Sequence, residues 1–235
     1  MRSCAPSGPE LLLLQRTVAM AFAPGAIVFP GGRVDTQDRE LASHFPQPDA
    51  PERIAAIRET IEETGICPAL QPVPEERASQ RLRDELTRGR SFSEALDAFG
   101  LQMNLDALLA FSRWCPNFRE TRRFDTMFYL AEAPNCSHPP TPQPSEAVRT
   151  FWSSAADILR QIDEGEAHAI FPTRRNLERL ERFASIDEAR ADAAQHPVTK
   201  ITPWIEEREG RKWLCIPEGI GYPVTAELLE TARRS

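Results

Sequence analysis

Several things are scarce in this chain, and each scarcity removes a class of protein. Cysteine occurs five times, at Cys4, Cys67, Cys115, Cys136 and Cys215, never spaced as Cys-x-x-Cys. Neither a disulfide framework nor a zinc ribbon is indicated. The four histidines (His44, His138, His168 and His196) are scattered without metal-ligand spacing and read as surface or loop residues. Positive charge is in deficit: the formal net charge is −7, the wrong sign for a protein that coats nucleic acid. Long apolar runs are missing too, so no membrane span and no membrane partner are expected. Leu11–Leu14 is too short for a signal-peptide core and runs straight into Gln15 and Arg16. The final Ala232-Arg233-Arg234-Ser235 matches neither a peroxisomal nor an endoplasmic-reticulum address, which leaves the cytoplasm as the expected compartment. There is no Walker loop, no serine-hydrolase elbow and no internal repeat. Gly219-Ile220-Gly221 lacks the third glycine of a dinucleotide fingerprint.

What is present is an ordinary globular composition, 41% apolar and 27% charged, over enough residues to bury a core. The 21 prolines cluster at 46–51, 68–74 and 134–144 and mark rigid loops. Strands are predicted at Glu10–Thr17, Ala26–Phe29, Phe124–Ala131 and Val148–Trp152, and a hairpin around Glu209-Gly210. A helix is predicted over Pro51–Thr64, with proline in its first turn and Gly65 as its stop. Ser91, Ser153 or Ser154, and Ser185 read as helix caps. Residues 72–113 read as helical in two or three pieces, the last around Leu105, Leu108, Leu109 and Phe111. The alternation implies a single α/β domain over 1–235, a mixed sheet with helices on both faces and a helical insertion at about 72–113.

The segment Arg58-Glu59-Thr60-Ile61-Glu62-Glu63-Thr64-Gly65-Ile66 carries the chemistry. On a helix Glu59, Glu62 and Glu63 fall at i, i+3 and i+4, so three carboxylates share one face and repel. Divalent cations with a taste for hard oxygen, Mg²⁺ or Mn²⁺, would offset that repulsion. Arg58 can pair with one carboxylate and fix its orientation. A glycine break, Phe29-Pro30-Gly31-Gly32, precedes the helix.

This arrangement resembles the Nudix box: glycine, five residues, glutamate, seven residues, then Arg-Glu-apolar-any-Glu-Glu-any-Gly-apolar. The second half matches at every fixed residue, with Thr60 in the first apolar slot. In the first half Gly32 matches, Asp38 stands where glutamate is usual, and residues 39–57 fill a gap with twelve extra positions. Glu52, on the same helix face as Glu59, is the second candidate for the missing glutamate. Phe111-Ser112-Arg113-Trp114-Cys115-Pro116, Arg123-Phe124-Asp125-Thr126, Glu164-Gly165-Glu166 and Phe171-Pro172-Thr173 with Asn176-Leu177 look similar to the branch containing the peroxisomal acyl-coenzyme A diphosphatases. The departures are the single Cys115 between Trp114 and Pro116, and Phe171 in place of a proline.

The resemblance implies a Nudix-type α/β/α sandwich and an enzyme that cleaves a small-molecule diphosphate, coenzyme A or acyl-coenzyme A among them. It implies Glu59, Glu62 and Glu63 as metal ligands, with the carbonyl of Gly32 added. The general base is either a box glutamate or Glu146, which sits in a loop six residues before Trp152. Arg122 and Arg123 are candidates for an additional substrate phosphate; the alternative is a solvated strand end. Other readings are a Nudix pyrophosphatase for ADP-ribose, dinucleotides or nucleoside triphosphates, and a non-catalytic Nudix-fold binding module. The apolar residues of the insertion, Phe92, Leu96, Phe99, Leu105, Leu108, Leu109 and Phe111, are expected either to line a substrate groove or to pack on the core or a homodimer partner.

Overall fold

The computed structural model describes residues 1–4, 8–20, 22–116, 125–134 and 138–232. In chain order the elements are β1 (Arg2–Cys4), β2 (Gly8–Arg16), β3 (Ile27–Val28), α1 (Thr36–Ala42), α2 (Ala50–Thr64), β4 (Leu70–Gln71), α3 (Glu76–Thr87), α4 (Phe92–Phe99), β5 (Gln102–Met103) and a 3₁₀ turn (Leu105–Ala107). There follow β6 (Leu109–Trp114), β7 (Thr126–Leu130), β8 (Ala147–Ser154), α5 (Ala155–Asp163), α6 (Phe171–Leu180), α7 (Ile186–Gln195), β9 (Lys200–Ile201), β10 (Trp204–Arg208), β11 (Arg211–Cys215), β12 (Ala226–Leu228) and α8 (Leu229–Ala232).

The run Leu11–Leu14 lies in β2 and is buried along its whole length, as a strand covered on both faces must be. Strand β2 pairs antiparallel with β8 along one edge, from Glu10↔Ser154 to Arg16↔Ala147. On its other edge β1 meets its start and β3 its end. A second sheet runs β7-β6-β9, antiparallel between β6 and β7 and parallel between β6 and β9. The predicted hairpin is β10–β11, where Glu209 and Gly210 both have positive φ (51° and 74°), the conformation a two-residue type I′ turn requires.

Helix α2 is bounded as its local signals dictate. Proline sits in the first turn, and Gly65 adopts φ 73° and returns its N–H to Ile61 O at 2.8 Å, a left-handed stop that costs a side-chain-bearing residue more than glycine. Ile54, Ile57 and Ile61 line one face of α2 and are fully buried. They share a cluster with Leu82 and Leu86 of α3 and with Phe92, Ala95 and Leu96 of α4. A second cluster lies beneath α5, α6 and α7 and holds Leu11, Leu13, Phe111 and Leu130. Tyr129 packs against the first cluster while its neighbour Leu130 belongs to the second. Strand β7 is therefore covered from both sides, as the expected α/β/α layering requires. Among the described residues no helix is long and apolar enough to cross a membrane.

One expectation about the insertion is corrected, and one open alternative is decided. Its helices end at Phe99; Leu105–Ala107 is a single 3₁₀ turn, and Leu109–Trp114 is strand β6. The register of β6 shifts between Ala110 and Ser112, so Phe111 and Ser112 are both buried. A bulge of this kind erases the two-residue alternation by which a strand is recognised. Of the two alternatives for the insertion's apolar residues, packing on the core is the one observed for most of them. Phe92, Leu96, Leu105 and Leu108 are buried in the cluster under α2, and Phe111 in the other.

Candidate active site

The chain leaves β3 through Phe29-Pro30 and turns at Gly31 and Gly32 directly over the polar face of α2. Gly31 has φ 151° and donates its N–H to Glu63 Oε2 at 2.7 Å. A Cβ on Gly32 would fall 2.2–2.3 Å from the carboxyl atoms of Glu59, so the absence of a side chain there is what lets the Glu59 carboxyl lie against the backbone.

Arg58 organises the near side of the cluster. Its side chain is only 9% exposed. Nε donates to Asp38 Oδ1 at 3.0 Å and Nη2 to Asp38 Oδ2 at 2.9 Å, a two-pronged pair. Nη2 also donates to the Arg33 carbonyl at 3.0 Å, while Nη1 reaches Glu59 Oε1 at 3.0 Å and Glu62 Oε1 at 3.3 Å. Burial disfavours the guanidinium charge, but Asp38, Glu59 and Glu62 outweigh it and raise the pKa.

The partner of Arg58 is therefore Asp38, which is 1% exposed and doubles as an N-terminal capping residue of α1 by accepting the Asp35 N–H at 2.8 Å. Glu52 lies elsewhere, in the fields of Arg113 and Tyr129. The extra residues between Asp38 and Arg58 are taken up by α1 and the first half of α2, so the chain folds back and brings the acid to the arginine.

Glu59, Glu62 and Glu63 share one face as expected. Burial pushes Glu59 up to about 7 against the pull of Arg58, with Glu62 and Glu146 adding to the rise. Burial also raises Glu62. Glu63 rises as well: burial dominates, the Gly31 N–H opposes it, and a hydrogen bond with the Glu146 carboxyl adds to it. Two carboxyl groups in contact require a shared proton or a cation between them.

Glu146 reaches Glu63 because its loop is tied to the end of α2. Thr141 N–H donates to Thr64 O at 2.9 Å and Gln143 N–H to Glu63 O at 3.2 Å. The Glu146 carbonyl accepts the Thr17 N–H at 2.9 Å. Beside this junction Arg16 Nε and Thr17 Oγ1 are buried without a partner, polar groups that no motif in the sequence singles out. Arg122 and Arg123 lie outside the described residues.

Among the described residues no three histidine, cysteine, aspartate or glutamate side chains converge in a geometry ready to hold a metal ion. Glu59 and Glu62 are turned onto Arg58, and Glu63 onto Gly31. The donor set nevertheless fits a divalent cation by its chemistry. Glu59, Glu62, Glu63 and Glu146 are hard oxygen donors; burial raises the three box glutamates and the neighbouring carboxylates add to the rise, a cost that a cation among them would offset.

No family model matches the chain. Among curated proteins it is similar to acyl-coenzyme A diphosphatase NUDT19 of Gallus gallus, 26% identical over 87% of this chain and 70% of that one. The Homo sapiens protein of the same name is 28% identical over 84% of this chain and 67% of that one. Among solved structures it is similar to a NUDIX hydrolase from Alicyclobacillus acidocaldarius, with TM-score 0.70 and 28% identity over 81% of this chain and 91% of that one.

Proposed function

Because the chain belongs to the Nudix hydrolases, we propose that it hydrolyses the diphosphate bond of coenzyme A or an acyl-coenzyme A, using Mg²⁺ or Mn²⁺ held by Glu59, Glu62 and Glu63 and the carbonyl of Gly32. The observation that carries this reading is that Glu59 and Glu63 meet the Gly31-Gly32 break, with Glu62 on the same helix face, Glu146 facing them from its loop, and Arg58 and Asp38 locked behind. The coenzyme A assignment is drawn from the names of the curated relatives.

The bound ion would neutralise charge on the diphosphate and make water a better nucleophile. The protein's own residues do the positioning. Arg58 fixes Glu59 and Glu62 from behind, and Gly31 N–H fixes one oxygen of Glu63. Glu146 faces the cluster from the loop and takes the proton of the attacking water. Arg122 and Arg123 hold a further phosphate of the substrate. Retention of every box carboxylate argues against a binding module without turnover.

The test is product analysis by mass spectrometry after incubation with coenzyme A, acyl-coenzyme A, ADP-ribose, dinucleotides and nucleoside triphosphates, each with Mg²⁺ or Mn²⁺. The reading requires adenosine 3′,5′-bisphosphate and a phosphopantetheine product as the fastest-formed pair. Preferential cleavage of another member of the panel would replace the substrate and keep the chemistry. No cleavage of any would overturn both.

A further inference from the structure

Helix α2 ends under electrostatic stress. The negative end of a helix favours cations, yet its last turn carries Glu62 and Glu63 and no basic residue. Within the helix Arg58 pairs with the Glu62 carboxylate from one turn back, but the cation that reaches the terminal carbonyls comes from outside, from Arg83 on the insertion helix α3. Arg83 is 6% exposed. Its Nε donates to the carbonyl of Glu62 at 2.9 Å and its Nη1 to Thr141 Oγ1 at 3.1 Å. Among the described residues it makes no ion pair, and burial pulls its pKa down with only partial relief from Asp84. A buried guanidinium spent on neutral acceptors is costly, so what it holds is informative.

It holds the loop that carries Glu146. Thr141 is gripped by Arg83 through its hydroxyl and by the Thr64 carbonyl through its N–H. Two residues on, Gln143 N–H caps the Glu63 carbonyl, and the Gln143 carbonyl in turn accepts the N–H groups of Glu146 and Ala147 at 2.9 and 2.8 Å. Arg83 thus stands at the head of a chain of hydrogen bonds whose far end is the backbone N–H of Glu146, the residue whose carboxyl interacts with that of Glu63. Gly65 borders the junction: a Cβ there would stand at ordinary contact distance from Thr141 Oγ1 (3.4 Å) and Arg83 Cδ (3.8 Å), so its left-handed φ of 73° rather than crowding is what favours glycine.

We propose that Arg83 is a positioning residue: by joining the negative end of α2 to the loop at Thr141, it sets Glu146 against Glu63, and this is a function of the inserted helix in the reaction. The inference rests on the role given to Glu146 above.

The experiment combines amide hydrogen exchange with a double-mutant cycle on the full chain. Arg83→Lys and Thr141→Val are made alone and with Glu146→Gln, and hydrolysis of coenzyme A and of ADP-ribose is measured with Mn²⁺. Thr141→Val removes one hydroxyl, so it keeps the test open if substitutions at Arg83 unfold the protein. The expected result is faster exchange at residues 141–147 and a kcat lowered by about tenfold with KM within about twofold. That loss should disappear in the Glu146→Gln background, because two residues acting through one group are not additive. Equal losses in both backgrounds, or unchanged exchange in the loop, would overturn the proposal. If Glu146→Gln alone keeps the native kcat, the base assignment falls and takes the catalytic part of the inference with it. The exchange rates would still report separately whether Arg83 holds the loop.

Discussion

Asp38 offers the sharpest test of how the site is braced. Its carboxylate is 1% exposed and accepts from two nitrogens of Arg58, at 3.0 and 2.9 Å, and from the Asp35 N–H at 2.8 Å. Asp38→Asn keeps the shape but removes the charge and replaces one acceptor oxygen with an amide that points hydrogens at a donor. A charge-assisted hydrogen bond contributes about 1.5–3 kcal/mol, and removing one partner of a buried ion pair costs about 3–5 kcal/mol. Arg58 retains Glu59, Glu62 and the Arg33 carbonyl, so the lower part of that range applies, about 3 kcal/mol. For a chain of this size that lowers Tm by roughly 6–12 °C. Turnover should fall as well, because an Arg58 released from Asp38 is free to draw Glu59 and Glu62 out of place. The assay is urea unfolding of the metal-free protein alongside coenzyme A hydrolysis, with Glu52→Gln as control. Glu52 does not enter the Arg58 network and should cost no more than about 0.5 kcal/mol. A loss below about 1 kcal/mol for Asp38→Asn, or a larger loss for Glu52→Gln, would refute the reasoning.

Three further outcomes follow from the same geometry. Glu59 is raised by burial from 4.5 to about 7, so folding favours its neutral form; the stabilisation is complete below about pH 4.5 and is lost as pH rises through 7. Its size is about 3 kcal/mol, so the Tm of metal-free protein should fall between pH 5 and 7.5, and millimolar Mg²⁺ or Mn²⁺ or the change Glu59→Gln should flatten the curve; an unchanged slope in both would count against the shift. Gly32→Ala places a methyl within 2.3 Å of the Glu59 carboxyl, the mobile end of a side chain, so melting should move little, by about 1 kcal/mol at most, while turnover collapses; equal loss of both would mean the backbone, not Glu59, gives way. Glu62→Gln and Glu63→Gln should each lose most turnover with melting unchanged or raised, since glutamine mimics the neutral carboxyl that burial favours; near-native rates in either would remove that residue from the metal site.

The parts of this protein that could be read without coordinates are those whose cause is local. Helix α2 begins near Pro51 and ends at Gly65 because a first-turn proline and a left-handed glycine act within a few residues. Ser91, Ser154 and Ser185 each accept the N–H three residues on, as their types and spacing imply, and Glu209-Gly210 makes the β10–β11 hairpin. The shared face of Glu59, Glu62 and Glu63 follows from helical pitch alone.

Tertiary structure decided the rest, since the partners lie far apart along the chain and leave no periodic trace. Asp38 and Glu52 were equal candidates by position, and only the path of α1 brings Asp38 onto Arg58. The apolar residues of α3 and α4 look alike whether they face a ligand or a helix, and burial against Ile54, Ile57 and Ile61 settles them as core. Strand β6 hid behind its bulge. Arg83 and Thr141 are ordinary residues in sequence, 58 positions apart. Their meaning comes from meeting at the C-terminal end of α2, whose last turn carries two glutamates and no basic residue of its own, so that the cation reaching its carbonyls must come from another element.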